Sequence, residues 1–202
     1  MTDRAYCYPP DFSVLRNKFN IRDAATLEAV ERNAVRVRAS EAIPQGQFDL
    51  AHLQAIHAHL FQDVYDWAGD IRVLEIAKGG QQFQPRGYIG VGMADVYQRL
   101  QQQNYLRHLS IKAFAEAAGR ILGDVNYVHP FREGNGRAQL IYLRQLGRQA
   151  GHAINLSLLE RDAWIEASIQ SHRGNYDPMA ACVLRAIEPP SDANGAEFQP
   201  VT

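Results

Sequence analysis

The most constraining stretch of this chain is a corner between two helices, His129-Pro130-Phe131-Arg132-Glu133-Gly134-Asn135-Gly136-Arg137. Before it, Ile111, Phe114, Ala115, Ala118, Ile121, Leu122 and Val125 recur on one helical face, with Ser110 placed to cap the first turn. After it, Ala138, Ile141, Tyr142 and Leu146 share a face, which predicts a second helix starting near Asn135 and running toward Gly151. Pro130 most simply stops the first helix.

The residue types in the corner point to phosphate chemistry. Gly134 and Gly136 lack a Cβ and can turn N–H groups inward at the positive end of the second helix. Such a corner suits an anion, above all a phosphate. Glu133 offers the hard oxygen that a magnesium ion bridging phosphates prefers, and Arg137 adds a planar cation. His129, with an ordinary pKa of ~6.5, suits proton transfer at neutral pH. Taken singly, each residue has a plainer reading: His129 as a helix-closing histidine, Phe131 as a core anchor, Arg132 as a solvated or locally paired side chain, Gly-Asn-Gly as an ordinary turn. The joint spacing is what lifts the functional reading above these.

That spacing resembles the signature of the Fic (filamentation induced by cyclic AMP) family, H-x-F-x-[DE]-G-N-G-R-x-x-R. Every fixed position from His129 to Arg137 matches, and the last arginine of the pattern falls on Leu140. Trp67-Ala68-Gly69-Asp70-Ile71-Arg72, followed by an extended segment from Val73 to Phe83, is similar to the family's approach to a target-binding flap. The resemblance implies an all-α helical bundle of the Fic fold with a short β-hairpin flap, formed by residues 1–188, with 189–202 as a disordered tail rich in Pro, Ser, Asn and Gly.

The resemblance also implies a chemistry, transfer of AMP from ATP to a Tyr, Ser or Thr hydroxyl of a target protein. In that scheme His129 takes the hydroxyl proton and Glu133 holds Mg2+ between the α- and β-phosphates. Asn135 with the N–H groups of Gly134 and Gly136 forms an anion hole, and Arg137 contacts the β-phosphate. Flap residues Ile76, Ala77, Lys78, Gly79, Gly80 and Gln81 hold the target backbone. Similar small toxins modify a type II topoisomerase subunit (DNA gyrase or topoisomerase IV). The family's inhibitory pattern, [ST]-x-x-x-E-[GN], does not occur in the sequence, which resembles the arrangement in which a small separate antitoxin supplies it.

Leu140 departs from the pattern at the residue that, in the family, meets the γ-phosphate and pairs with the inhibitory glutamate. Leucine has no donor, and a charge-assisted hydrogen bond is worth roughly 1.5–3 kcal/mol. Arg144, one turn along the same face, is a candidate substitute. Two other readings stay open. A relative transferring phosphate or phosphocholine is one, although kinase-like relatives carry lysine at the place of Gly136. A degenerate nucleotide- or protein-binding member, suggested by Leu140 alone, is the other.

The rest of the chain frames this site. With 202 residues, 46% apolar, it is long enough to bury a full core, and a net charge of −1 gives no nucleic-acid footprint. Two cysteines, no export signal and no long apolar run set the expectation of a reduced cytoplasm, away from membranes. The resemblance implies that Asp11–Asn20 forms a short helix and turn. Asp23 is expected to cap a helix with Ala24, Leu27, Val30, Ala34 and Val37 inward, and Asp49 one with Leu50, Leu53, Ile56, His57 and Leu60 inward. Further helices are predicted on Ile89, Met93, Val96 and Leu100; on Trp164 to Ile169, capped near Ser157; and on Met179, Cys182, Val183 and Ala186. His52, His59 and Asp63 share a helical face, but their spacing matches no metal signature.

Overall fold

Helix α4 (Ile111–Val128) is the axis of the bundle in the computed structural model, which describes residues 3–188. Helices α3 (Ile89–Gln102), α5 (Asn135–Ala150), α6 (Arg161–His172) and α7 (Asp177–Ala186) all pack against it. Its length follows from its ends: the Ser110 side chain accepts the Ala113 N–H at its start, and His129, in the left-handed region at φ 46°, turns the chain away at its end. Phe114, Ala118, Ile121, Leu122 and Val125 are buried, as their period predicts. At Gly119 the neighbouring helix comes so close that a Cβ would lie 2.7 Å from the Ala180 nitrogen.

Helices α1 (Ala24–Ala39) and α2 (Leu50–Phe61) form a second layer, with α2 lying on α5 and α1 lying on α2. Asp23 and Asp49 cap them through the N–H groups of Thr26 and His52. Strands β1 (Ala77–Lys78) and β2 (Gln81–Gln82) pair antiparallel around Gly79-Gly80, both at positive φ. Among the described residues this hairpin is the sheet content apart from isolated bridges, so the expectation of a helical bundle with a short flap is met.

Three expectations are corrected. The inward face of α1 is Leu27, Glu31 and Val35, and Val37 is exposed. The apolar count missed a glutamate that sits on the buried stripe. Asp11–Asn20 forms no helix; Leu15 bridges to Cys7, and the remainder is mostly irregular backbone with a turn at Lys18-Phe19. Helix α6 starts at Arg161, and Ser157 lies in a preceding 3-10 turn closed by the Asn155 side chain. The 189–202 stretch expected to be a tail lies outside the described residues.

Candidate active site

The motif loop is held from beneath by a stack of rings. His57 of α2 lies between Phe61 and Phe131, with ring centroids 4.5 and 3.9 Å away. Its Nε2–H donates to the Glu133 carbonyl at 2.9 Å and its Nδ1 accepts the Gly69 N–H at 2.9 Å. Those two bonds require a neutral ring, and burial lowers the His57 pKa to about 4. Phe131 is fully buried, the anchor that its type suggests.

Asn135 closes the loop on itself: its Oδ1 accepts the Phe131 N–H at 3.0 Å and its Nδ2 donates to the Phe131 carbonyl at 2.8 Å. What it presents outward is therefore its backbone N–H. Gly134 has φ 81°, and a Cβ there would meet the Phe61 ring at 2.4 Å, so only glycine fits. Its N–H goes to Glu133 Oε1 at 2.9 Å. Among the described residues, the N–H groups of Asn135, Gly136 and Arg137 keep no acceptor at the start of α5. Three free donors at the positive end of a four-turn helix make an anion site.

His129 stands across from this nest at the C-terminus of α4. Its Nδ1–H donates to the Asn126 carbonyl at 3.0 Å, which fixes the tautomer and leaves the Nε2 lone pair free. Phe83, just past β2, lies face to face on the imidazole at 3.7 Å. Burial, first among the causes, lowers the His129 pKa to about 4, with the charge of Glu133 opposing and those of Arg72 and Lys78 assisting.

Arg72 joins His129 to the hairpin. Its side chain is wholly buried and donates to the carbonyls of His129 (2.9 Å), Leu74 (2.8 Å) and Gln84. Its own N–H meets the Pro130 carbonyl at 2.9 Å. The acceptors on the α4 side are C-terminal carbonyls with partial negative charge, which suits a guanidinium. Beyond these anchors Ala77, Lys78, Gly79 and Gly80 are exposed, while Ile76 and Gln81 are half-buried at the base of the hairpin.

Arg137 rests 4.7 Å over the Phe61 ring, ion-paired with Glu31 of α1 and 3.5 Å from Glu133. Arg132 is paired with Asp3. Leu140 packs partly buried on the core. His52 and His59 are tied to the carbonyls of Pro44 and Arg38, and Asp63 to the Arg38 guanidinium.

The sequence reading brought together His129, Glu133 and Arg137 with the Gly-Asn-Gly turn, but it missed Glu31, His57, Phe83 and the hub role of Arg72. An inward stripe of Leu27, Glu31 and Val35 at intervals of four was a signal for Glu31; His57 was read as inward and Arg72 and Phe83 as part of the approach to the hairpin, but nothing in the sequence gave the contacts they make.

These features place the chain among proteins built around a helical core with a phosphate-binding corner and a hairpin flap. It belongs to the Fic/DOC family, whose model matches residues 47–146. It is 42% identical over 182 residues to a probable protein adenylyltransferase, y4lH, of Sinorhizobium fredii, covering 90% of this chain and 94% of that one. It is 35% identical to the probable protein adenylyltransferase Fic of Escherichia coli, over 90% of this chain and 91% of that protein. The match to the protein adenylyltransferase VbhT of Bartonella schoenbuchensis, 38% identical, covers 88% of this chain and 38% of that longer protein. Among solved structures, the BepC protein of Bartonella tribocorum, crystallised with bound AMPPNP, superposes with a TM-score of 0.80 at 29% identity over 94% of this chain and 99% of that one.

Proposed function

We propose that this chain is a protein adenylyltransferase, moving AMP from ATP to a Tyr, Ser or Thr hydroxyl of a target protein. The observation that carries the reading is the His129 ring, its Nδ1–H committed to the Asn126 carbonyl at 3.0 Å and its Nε2 left as a free base. A neutral imidazole of fixed tautomer can accept a hydroxyl proton. As the hydroxyl oxygen bonds to the α-phosphorus, that proton passes to Nε2, the α–β phosphoanhydride bond breaks and pyrophosphate leaves. The N–H groups of Asn135, Gly136 and Arg137 receive phosphate oxygens, and the Arg137 guanidinium meets the β-phosphate. Gly134 supplies the turn that aims these donors. The flap, Ile76 to Gln81, offers backbone to an extended target segment.

Glu133 is the residue that would hold magnesium. It is half-exposed, and its Oε2 makes no hydrogen bond among the described residues while Oε1 takes the Gly134 N–H. One carboxylate together with phosphate oxygens and water suits this ion, which supplies neutralisation of phosphate charge when bound. The relatives named adenylyltransferases and the AMPPNP complex of BepC support ATP as the donor.

The finer reading is a cytoplasmic toxin acting on a type II topoisomerase subunit and restrained by a small antitoxin bearing the [ST]xxxE[GN] helix. The sequence resemblance supports it. No described helix is long and apolar enough to cross a membrane. Because Leu140 offers no donor, such an inhibitor acts here by bulk.

The test is incubation of the purified chain with magnesium, bacterial lysate and either α- or γ-labelled ATP, beside a His129→Ala control. Label from the α-position, lost in the control, is expected and identifies the target band. Label from the γ-position alone means phosphotransfer, and no label with nucleotide still bound means a binding protein.

A further inference from the structure

Glu31 belongs to α1, outside the residues 47–146 that match the family model, yet its carboxylate reaches the motif. Oε1 pairs with Arg137 Nη1 and Oε2 accepts the Tyr65 hydroxyl. Its side chain is 9% exposed, whereas that of Arg137 is 35% exposed, so the carboxylate is enclosed and the guanidinium still faces out. Tyr65 is itself immobilised, buried and stacked 4.3 Å from Trp67. Burial, and then the hydrogen bond and charge of Glu31, hold its phenol protonated far above neutral pH, so it stays a donor.

A buried ion pair is a poor source of net stability, because desolvation offsets its attraction and apolar groups of the same shape do as well. It does fix geometry. A guanidinium has five donors in a planar fork; an enclosed carboxylate on one edge and an aromatic ring under its face leave the remaining donors a single direction. With Glu31 on Nη1 and Phe61 beneath at 4.7 Å, Nη2 of Arg137 turns toward Glu133, 3.5 Å from its Oε1 at the start of α5.

We propose that Glu31, anchored by Tyr65, is a positioning residue of the nucleotide site that holds Arg137 in its phosphate-binding pose. This rests on the reading of Arg137 as a phosphate contact. Helix α1 is thereby part of the functional unit, although the corner motif lies a hundred residues further along the chain.

The experiment measures magnesium–AMPPNP affinity calorimetrically for the full chain and for Glu31→Gln, Tyr65→Phe, Arg137→Ala and the Glu31→Gln/Arg137→Ala double variant, with thermal melts as a folding control. Glu31→Gln is expected to weaken binding about tenfold, Tyr65→Phe less but in the same direction, and Glu31→Gln to add less than about twofold once Arg137 is gone. In α-label transfer the loss falls on KM for ATP, with kcat within about twofold. Unchanged or tighter binding in Glu31→Gln overturns the proposal, as does an equal loss in the Arg137→Ala background. Should Glu31→Gln melt without cooperativity, Tyr65→Phe decides by the same criteria. A wild type that binds AMPPNP with the expected pattern but transfers no α-label refutes adenylyl transfer and leaves the Glu31 assignment standing. A wild type that does not bind AMPPNP refutes the assignment itself.

Discussion

Phe83 covers one face of His129, the two rings lying 17° from parallel with centroids 3.7 Å apart. The stack links the hairpin to His129, because Phe83 follows β2 directly and its N–H is bonded to the Ile76 carbonyl at 3.2 Å. Water is thereby kept from the imidazole, and burial is the main cause that lowers its pKa to about 4. With the neutral ring as the proposed base, transfer is expected to persist as pH falls until near that value. Phe83→Ala opens the ring to water and moves the acid limb up toward ~6.5. At pH 5.5 the variant then loses about tenfold more activity than it does at pH 8. A pH–rate profile of both proteins checks this, and an unshifted acid limb refutes it.

His57 makes stability depend on pH. Folding lowers its pKa from ~6.5 to about 4, chiefly through burial, so between those values the unfolded chain binds the extra proton. The contribution is complete above ~6.5 and is lost as pH falls through that window. Between pH 7 and pH 5 this amounts to about 2 kcal/mol. Urea unfolding is expected to show it, with a His57→Ala chain less stable at pH 7 but losing about 2 kcal/mol less on acidification.

Among the described residues, Arg72 has no close compensating charge other than the half-exposed Glu75 carboxylate at 3.4 Å; main-chain carbonyls do the rest. Truncation to alanine leaves those carbonyls without donors and a cavity under the flap, so Arg72→Ala is expected to cost at least about 3 kcal/mol. Arg72→Lys keeps the charge but lacks the fork that spans Leu74, Gln84 and His129. It should fold, be cut faster by protease within Ala77–Gln82, and transfer AMP more slowly, which limited proteolysis and α-label assays measure side by side.

Helix-forming periodicity was legible where a strong apolar stripe met a sharp cap. Ser110 and Gly151 mark helix ends as read from the chain, and Ile89, Met93, Val96 and Leu100 are all buried. The α1 face was misread because its central inward residue is charged, and nothing local announces that Arg137 will meet it more than a hundred residues later. His57 was read as inward and Arg72 as part of the approach to the hairpin, but the contacts by which they hold the loop were equally hidden. Their partners are main-chain groups of a distant loop, which every residue carries alike. The residues of the candidate site were thus legible in one continuous stretch, while the parts that hold them in place come from contacts remote in sequence.

Leu140 sets the last expectation. It packs partly buried against the core at the place where the family pattern has arginine, and neighbouring Ala138 and Ile141 are buried. Replacing it with arginine removes some apolar contact, at about 1 kcal/mol for a side chain only partly covered. The long stem can still lie along that surface while the guanidinium reaches out. A recovered charge-assisted hydrogen bond to the γ-phosphate is worth roughly 1.5–3 kcal/mol, the larger effect. Leu140→Arg is therefore expected to melt a few degrees lower (~3 °C) and to bind AMPPNP at least about tenfold more tightly. The gain must be confined to the triphosphate: calorimetry with AMP should give the same affinity for both proteins. Equal gains for AMP and AMPPNP would mean a general electrostatic effect of the added charge, and no gain for either would mean that the nucleotide does not present its γ-phosphate to this face of α5.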